Sequence, residues 1–265
     1  MGRSGSDPGD VPVGLPADLT AALDAVAGTR HLLVTSDFDG TLSPIVNDPA
    51  DARPLPAAAD ALTALAGLPS TSVALISGRA LSVLRELSGA PPGVHLVGSH
   101  GAEFDTGFVH EVDEALLGRI TAELNTIAAN RPGVTVETKP ASVALHVRNA
   151  SAADGDAALG ESRVASQAWA AHLTEGKAVL EFAVISTDKG EAVDILREQT
   201  GATAVVFFGD DVTDEKAFRR MRDADVGVKV GAGETLADYR IGSPEDVADT
   251  LTSLCERRCA FIHRA

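Results

Sequence analysis

Asp37 and Asp39 stand two residues apart at the end of the apolar run Leu32-Leu33-Val34-Thr35, and Gly40 follows them. Two carboxylates so placed suit a group transfer in which one attacks as nucleophile and the other moves the proton. The run reads as a parallel strand covered on both faces, and ligands of open α/β sheets bind beyond the carboxyl ends of such strands. Asp-x-Asp-Gly also suits an ordinary turn, so the segment alone leaves both readings open. A second acidic cluster, FFGDDVTDE, again follows an apolar run, Ala204 to Phe208. Two acidic strand ends suggest a metal. Mg²⁺ takes oxygen ligands and is commonly held by one or two carboxylates plus a substrate phosphate. Asp37 and Asp210 supply carboxylates, with the backbone carbonyl of Asp39 as a third oxygen. Asp214 either holds a metal-bound water, the favoured reading, or caps the helix that begins at DEKAFRRM; Asp211 stays undecided.

Two further ends carry complementary chemistry. The run SVALIS stops at Ser77, whose hydroxyl can donate to a phosphoryl oxygen, and Gly78 lets the backbone approach closely. In STDKGEAV, Lys189 falls at a helix start, where its ammonium adds to the positive end of the dipole. Taken singly, a Ser there is an ordinary cap and a Lys is solvated surface. Acid pair, hydroxyl, lysine and acid cluster, each after an apolar segment, form a less accidental set.

DFDGT, SGR, the Lys of DKG and GDDVTDE, in that order, resemble the four motifs of the haloacid dehalogenase superfamily. DFDGTLSPI, GSHGAE, VETKPASVALHVR, VLEF, DKGEAV and GDDVTDEKAF further resemble the trehalose-6-phosphate phosphatase family over most of the chain. The resemblance implies Mg²⁺-dependent hydrolysis of a small sugar phosphate through an aspartyl-phosphate. Asp37, Asp39, Ser77 and Lys189 would be catalytic, and Asp37, Asp39, Asp210 and Asp214 would hold the metal. Arg79, His100, Glu137, Lys139, Arg148 and Glu181 would bind substrate. The chain departs at Ala183-Val184-Ile185, where members carry a basic residue and Pro, so no contact after Glu181 is implied. Another sugar phosphate, of the sucrose or glucosylglycerol type, is the alternative substrate. A module that only stores the acyl phosphate is disfavoured by Asp39, and an inactive sugar-binding protein by the intact catalytic set.

The bulk composition agrees. The 265 residues suit one large or two small domains, and 45% hydrophobic residues allow a sizeable core. With 38 acidic and 22 basic residues the net charge is −16, which disfavours a nucleic-acid partner. It also disfavours an anionic substrate at long range, so local cations must reverse the potential. No apolar run reaches the roughly 18 residues of a membrane span. MGRSGSDPGDVPVG lacks an apolar signal core and reads as a flexible tail. Cys255 and Cys259 on the last helix read as reduced thiols of a cytoplasmic protein.

Strands alternating with helical patterns predict an α/β fold, a doubly wound parallel-sheet, Rossmann-like core with an inserted smaller α+β cap. The expected divisions are a tail over 1–18, the core over 19–101 and 187–265, and the cap over 102–186. Within the cap, helical patterns cover 113–130 and 154–174, the latter containing Trp169 as a core residue. In VTVETK, Thr135, Glu137 and Lys139 share one face; in SVALHVR, His146 and Arg148 oppose Val143, Leu145 and Val147. The charged face has two readings, a solvated surface or the sugar site that the resemblance implies for Glu137, Lys139 and Arg148. Glu181, alone in the apolar strand AVLEFAVI, needs a partner, since an unpaired buried carboxylate is costly.

Overall fold

A computed structural model describes residues 15–264; most of the expected tail lies outside the described residues. In chain order the elements are α1 (Ala17–Ala27), β1 (Leu32–Ser36), α2 (Pro56–Ala66), β2 (Thr71–Ile76), α3 (Leu81–Ser88), β3 (Val94–Gly98), β4 (Glu103–Phe104) and β5 (Gly107–Phe108). Next come α4 (Glu114–Ala128), β6 (Thr135–Lys139), β7 (Ser142–His146), α5 (Ala152–Ser166), β8 (His172–Gly176) and β9 (Val179–Ala183). The chain ends with α6 (Lys189–Thr200), β10 (Ala204–Gly209), α7 (Glu215–Phe218), β11 (Val226–Val230), β12 (Tyr239–Ile241) and α8 (Pro244–Ile262).

The chain divides into two compact units: the sequence up to Val73 with Ala90–Val94 and Arg197 onward, and Ala74–Gly89 with His95–Leu196. The first carries a parallel sheet in the order β12-β11-β10-β1. Every residue of β1, β10 and β11 is buried, the two-sided cover that an uninterrupted apolar run requires. Leu32 pairs with Ala204 and Ser36 with Phe208, so β1 and β10 end level with each other. Their acidic ends are thereby set side by side. Helix α8 packs on α1 and α2. Cys255 and Cys259, both free thiols, lie on α8.

The second unit contains the antiparallel run β3-β4-β5 and a four-stranded antiparallel sheet, β6-β7-β9-β8. Val143, Leu145, Leu180 and Phe182 leave one face of that sheet and pack with Leu116, Ile120 and Leu124 of α4 and Ala158 of α5. A small α+β layer of the expected cap type results, with residues 102–186 inside this unit.

Three local expectations need correcting. The helical pattern over 154–174 ends at Ser166, and its last residues form the edge strand β8. All five residues of β8 are exposed, so no apolar alternation marks it. Trp169 therefore follows α5 rather than lying on it, although it still packs edge-on against Phe182 at 4.9 Å. Strand β7 stops at His146, which leaves Arg148 exposed in the turn beyond.

Candidate active site

In the first unit, Asp37 prolongs the ladder of β1 by one bond, its N–H donating to the Phe208 carbonyl at 2.9 Å. The chain then folds tightly: Leu42 and Ser43 N–H donate to the Phe38 carbonyl at 3.0 and 2.9 Å, and Gly40 N–H donates to Ser43 at 2.8 Å. The turn reading of this segment is realised, and the turn carries Gly40 past Asp210. Gly40 has φ +81°, and a Cβ on it would lie 2.2 Å from Asp210 Oδ2. Only glycine lets the loop pass the carboxylate of Asp210, which also accepts from Thr41 Oγ1 at 3.2 Å.

Carboxylate oxygens of Asp37, Asp210 and Asp214 lie within 4.8 Å of one another, Asp37 and Asp214 buried and Asp210 partly so. Three anionic groups this close repel one another, and a cation offsets that repulsion. Their hard oxygens suit Mg²⁺, Mn²⁺ or Ca²⁺ rather than a thiophilic metal. The donor set, and the closeness that Gly40 permits, fit a divalent ion. Asp39 is not one of these three carboxylates; it is half-buried and bridges to Ser43.

Asp214 precedes α7 yet makes no side-chain cap. Its Oδ2 accepts from Asp211 N–H at 2.9 Å, and its carboxyl fills the space where Gly209 lacks a Cβ. Asp211 turns its own carboxylate to Val212 N–H at 2.7 Å, a role confined to the turn. The sequence reading passed over Lys229. It is 4% exposed, in the otherwise apolar β11, and its ammonium donates to the Asp210 backbone carbonyl. Its signal was the one Glu181 gives, a lone charge within an apolar strand.

In the second unit, three of the predicted segments meet. Ser77, buried just after β2, accepts His100 N–H at its carbonyl, 2.9 Å, and Arg79 N–H at its hydroxyl, 3.2 Å. His100 (φ +57°) lays its ring over Gly78, where a Cβ would come within 2.4 Å of it. Gly101 approaches the Asp188 carbonyl as closely, 2.6 Å from its missing Cβ. Asp188 Oδ1 accepts Glu191 N–H at 2.9 Å and so caps α6, whose first residue is the buried Lys189.

The polar face of the cap sheet collects the rest. Glu137 Oε2 accepts from His146 Nε2 at 2.8 Å, and Glu181 accepts from Lys139 Nζ at 3.0 Å and Ser142 Oγ at 2.6 Å. Burial pushes the Glu181 carboxyl upward, but Lys139, Ser142 and the charge of His100 outweigh it and hold it below its ordinary range. Arg148 stands apart from this ladder, in its exposed turn.

The family model described as trehalose-phosphatase matches residues 35–244, a span that includes every motif above. The chain belongs to the trehalose-phosphatase family. A trehalose-phosphate phosphatase of Mycobacterium avium (strain 104) is 37% identical over 90% of this chain. The match covers 66% of that relative, so the chain spans just under two thirds of its length. Among solved structures, an Aspergillus fumigatus trehalose-6-phosphate phosphatase aligns at TM-score 0.67 with 28% identity, covering 92% of this chain and 99% of that one. The C-terminal domain of a C. albicans trehalose-6-phosphate phosphatase shares the fold at TM-score 0.76 and 22% identity, covering 90% and 97% of the two chains. The trehalose-phosphatase family thus shares with this chain the haloacid dehalogenase-like α/β sheet with its cap. Among the described residues no helix is long and apolar enough to cross a membrane.

Proposed function

We propose that this chain hydrolyses trehalose 6-phosphate to trehalose and phosphate, with Asp37 as nucleophile and residues 102–186 as the sugar-reading cap. The observation that carries the reading is the group Asp37, Asp210 and Asp214, three carboxylates within 4.8 Å at the ends of two paired parallel strands, in a chain of this family. A Mg²⁺ held by these three carboxylates and the Asp39 carbonyl would supply the charge that neutralises phosphoryl oxygens.

The chain's own groups divide the work as follows. A carboxylate oxygen of Asp37 attacks phosphorus in line, and the bond from phosphorus to the sugar 6-oxygen breaks. Asp39 gives its proton to that oxygen, a poor leaving group otherwise. Asp39, now a base, takes a proton from water as the water oxygen attacks phosphorus, and the bond to Asp37 breaks to release phosphate. Ser77 and Lys189 bind the remaining phosphoryl oxygens. Arg79, His100, Glu137, Lys139, Arg148 and Glu181 bind the substrate. With a net charge of −16 the reading has no nucleic-acid partner, and the free thiols Cys255 and Cys259 favour a cytoplasmic location.

Phosphate release measured on trehalose 6-phosphate, sucrose 6-phosphate, glucosylglycerol phosphate and glucose 6-phosphate tests it. Trehalose 6-phosphate should have the highest kcat/KM by about 10-fold or more, EDTA should abolish release, and Mg²⁺ should restore it. A better substrate among the others overturns the specificity, and undiminished turnover in EDTA overturns the metal role.

A further inference from the structure

Lys229 is a cation where the fold has no ordinary place for one. The five residues of β11 read Val-Gly-Val-Lys-Val and all are buried. A long lysine normally runs its stem along the surface and leaves its ammonium in water; Lys229 is 4% exposed. Burying an ammonium is costly without negative partners. The one acceptor described above, the Asp210 carbonyl, is a dipole and offsets only part of that cost.

The register shows where the remaining compensation lies. Lys229 pairs with Gly209 on the adjacent parallel strand, and laterally paired residues project from the same face of a sheet. On that face the position of the missing Gly209 Cβ is taken by Asp214, whose Cγ would be 2.4 Å away. Two residues back, a Cβ on Gly227 would meet the Phe218 ring at 3.1 Å, so α7 covers this same face. Lys229 therefore projects from the sheet face that Asp214 and α7 cover, and its buried ammonium reaches the backbone carbonyl of Asp210 at the root of the carboxylate group. Arg240, paired with Lys229 on the outer strand, cannot substitute: it is exposed, and its guanidinium is taken by the Gly231 and Gly233 carbonyls.

We propose that Lys229 is a positioning residue for the divalent cation, resting on the metal reading given above. Its hydrogen bond fixes the backbone oxygen of Asp210 and with it the root of the Asp210 carboxylate. Its charge opposes the mutual repulsion of Asp37, Asp210 and Asp214, which otherwise drives them apart. Three carboxylates and one divalent ion leave one negative charge uncompensated, and a single ammonium matches it. Groups that orient metal ligands without touching the metal are worth about 10- to 100-fold in affinity.

The sign of the effect separates this role from simple charge. Removing a positive group near a cation site, by electrostatics alone, tightens cation binding. Loss of positioning loosens it. Mn²⁺ binding to the full chain, followed by electron paramagnetic resonance and calorimetry, should weaken by about 10-fold or more in Lys229→Met. The same variant should need correspondingly more Mg²⁺ for half-maximal turnover, while KM at saturating Mg²⁺ stays close to wild type. Circular dichroism and Tm establish that the variant is folded. If Met at 229 does not fold, Lys229→Gln, uncharged and too short to reach the same carbonyl, should weaken Mn²⁺ in the same direction. Unchanged or tighter Mn²⁺ binding in a folded variant overturns the proposal. Asp210→Asn is the reference: if wild type binds no Mn²⁺, or Asp210→Asn binds it as well as wild type, the metal reading itself fails rather than the role of Lys229.

Discussion

Lys139 and Glu181 meet at 3.0 Å across a strand to which neither belongs. Lys139 is on β6 and Glu181 on β9, with β7 between them. The positions of β7 beneath the pair are Ser142, opposite Lys139, and Ala144, opposite Glu137 and Glu181. Small side chains there let the two long ones close over the sheet, and Ser142 adds its own hydrogen bond to Glu181 at 2.6 Å. A residue as large as leucine at 144 would fill that space, so the identity of β7 on this face decides whether the cap carries an ordered ion pair.

The pair predicts the acid behaviour of the cap. Burial raises the Glu181 carboxyl, yet Lys139, Ser142 and His100 together bring it below the ordinary glutamate value of 4.5. A carboxyl lowered on folding adds stability that is fully present above its unfolded value near 4.5, and loses it as pH falls through the lowered folded value. Carbon-13 NMR of the Glu181 δ-carbon should show a midpoint below 4.5. In Lys139→Met, burial meets less opposition and the midpoint should move up. A wild-type midpoint at or above 4.5 contradicts the ion pair.

Two glycines with positive φ should respond differently to alanine. At Gly40 the new Cβ would lie 2.2 Å from Asp210 Oδ2, whereas Gly89 (φ +57°) has nothing within 4 Å. Gly89→Ala should cost about 1 kcal/mol of backbone strain and leave Mn²⁺ binding and turnover intact. Gly40→Ala should abolish both, because the Asp210 carboxylate has to leave its place. Equal behaviour of the two variants would show that Asp210 does not need the space that Gly40 leaves.

Much of this arrangement is legible before any coordinates. Parallel strands buried on both faces appear as continuous apolar runs, so Asp37 and the 210–214 cluster were readable as strand ends. Glu181 was readable as a lone charge in such a run, and Lys229 carries the same mark. What concealed Lys229 is that its partner is a backbone carbonyl, which no side-chain motif announces. Strand β8 was unreadable because HLTEG is wholly exposed and offers one apolar side chain. Arg258 was hidden for the opposite reason, sitting in the charged stretch Glu256-Arg257-Arg258 of an amphipathic helix while being 1% exposed.

Arg258 therefore makes a stability prediction. Its guanidinium donates to the carbonyls of Ala27, Thr29 and Ser70 at 2.8, 2.5 and 2.6 Å and to Thr71 Oγ1 at 3.1 Å. Arg258→Met leaves those acceptors without their donor and should cost about 3 kcal/mol or more in urea unfolding. Arg257→Ala removes a surface pair with Asp24 and a hydrogen bond to Ser253 Oγ one turn back on the same helix, and should cost no more than about 1 kcal/mol. Similar losses for the two neighbours would mean that the carbonyls find other donors.

Chemistry and recognition should fail separately if the cap reads sugar. Asp37→Asn should abolish turnover of every substrate, since an amide does not attack phosphorus. Asp39→Asn should slow it about 10²-fold or more through lost proton transfer. Glu137→Ala, Lys139→Ala and Glu181→Ala remove polar groups from one face of the cap sheet. With them, kcat/KM for trehalose 6-phosphate should fall by roughly 10- to 10³-fold, as for loss of one or more buried polar contacts. Hydrolysis of p-nitrophenyl phosphate, which offers no disaccharide and has a good leaving group, should change little. The comparison is informative because the Lys139–Glu181 pair also supports the sheet: a structural role alone would depress both substrates together in proportion to the fraction unfolded. Parallel losses in variants that remain folded would move the sugar contacts away from this face and leave its charges as a means of holding β6, β7 and β9 in register.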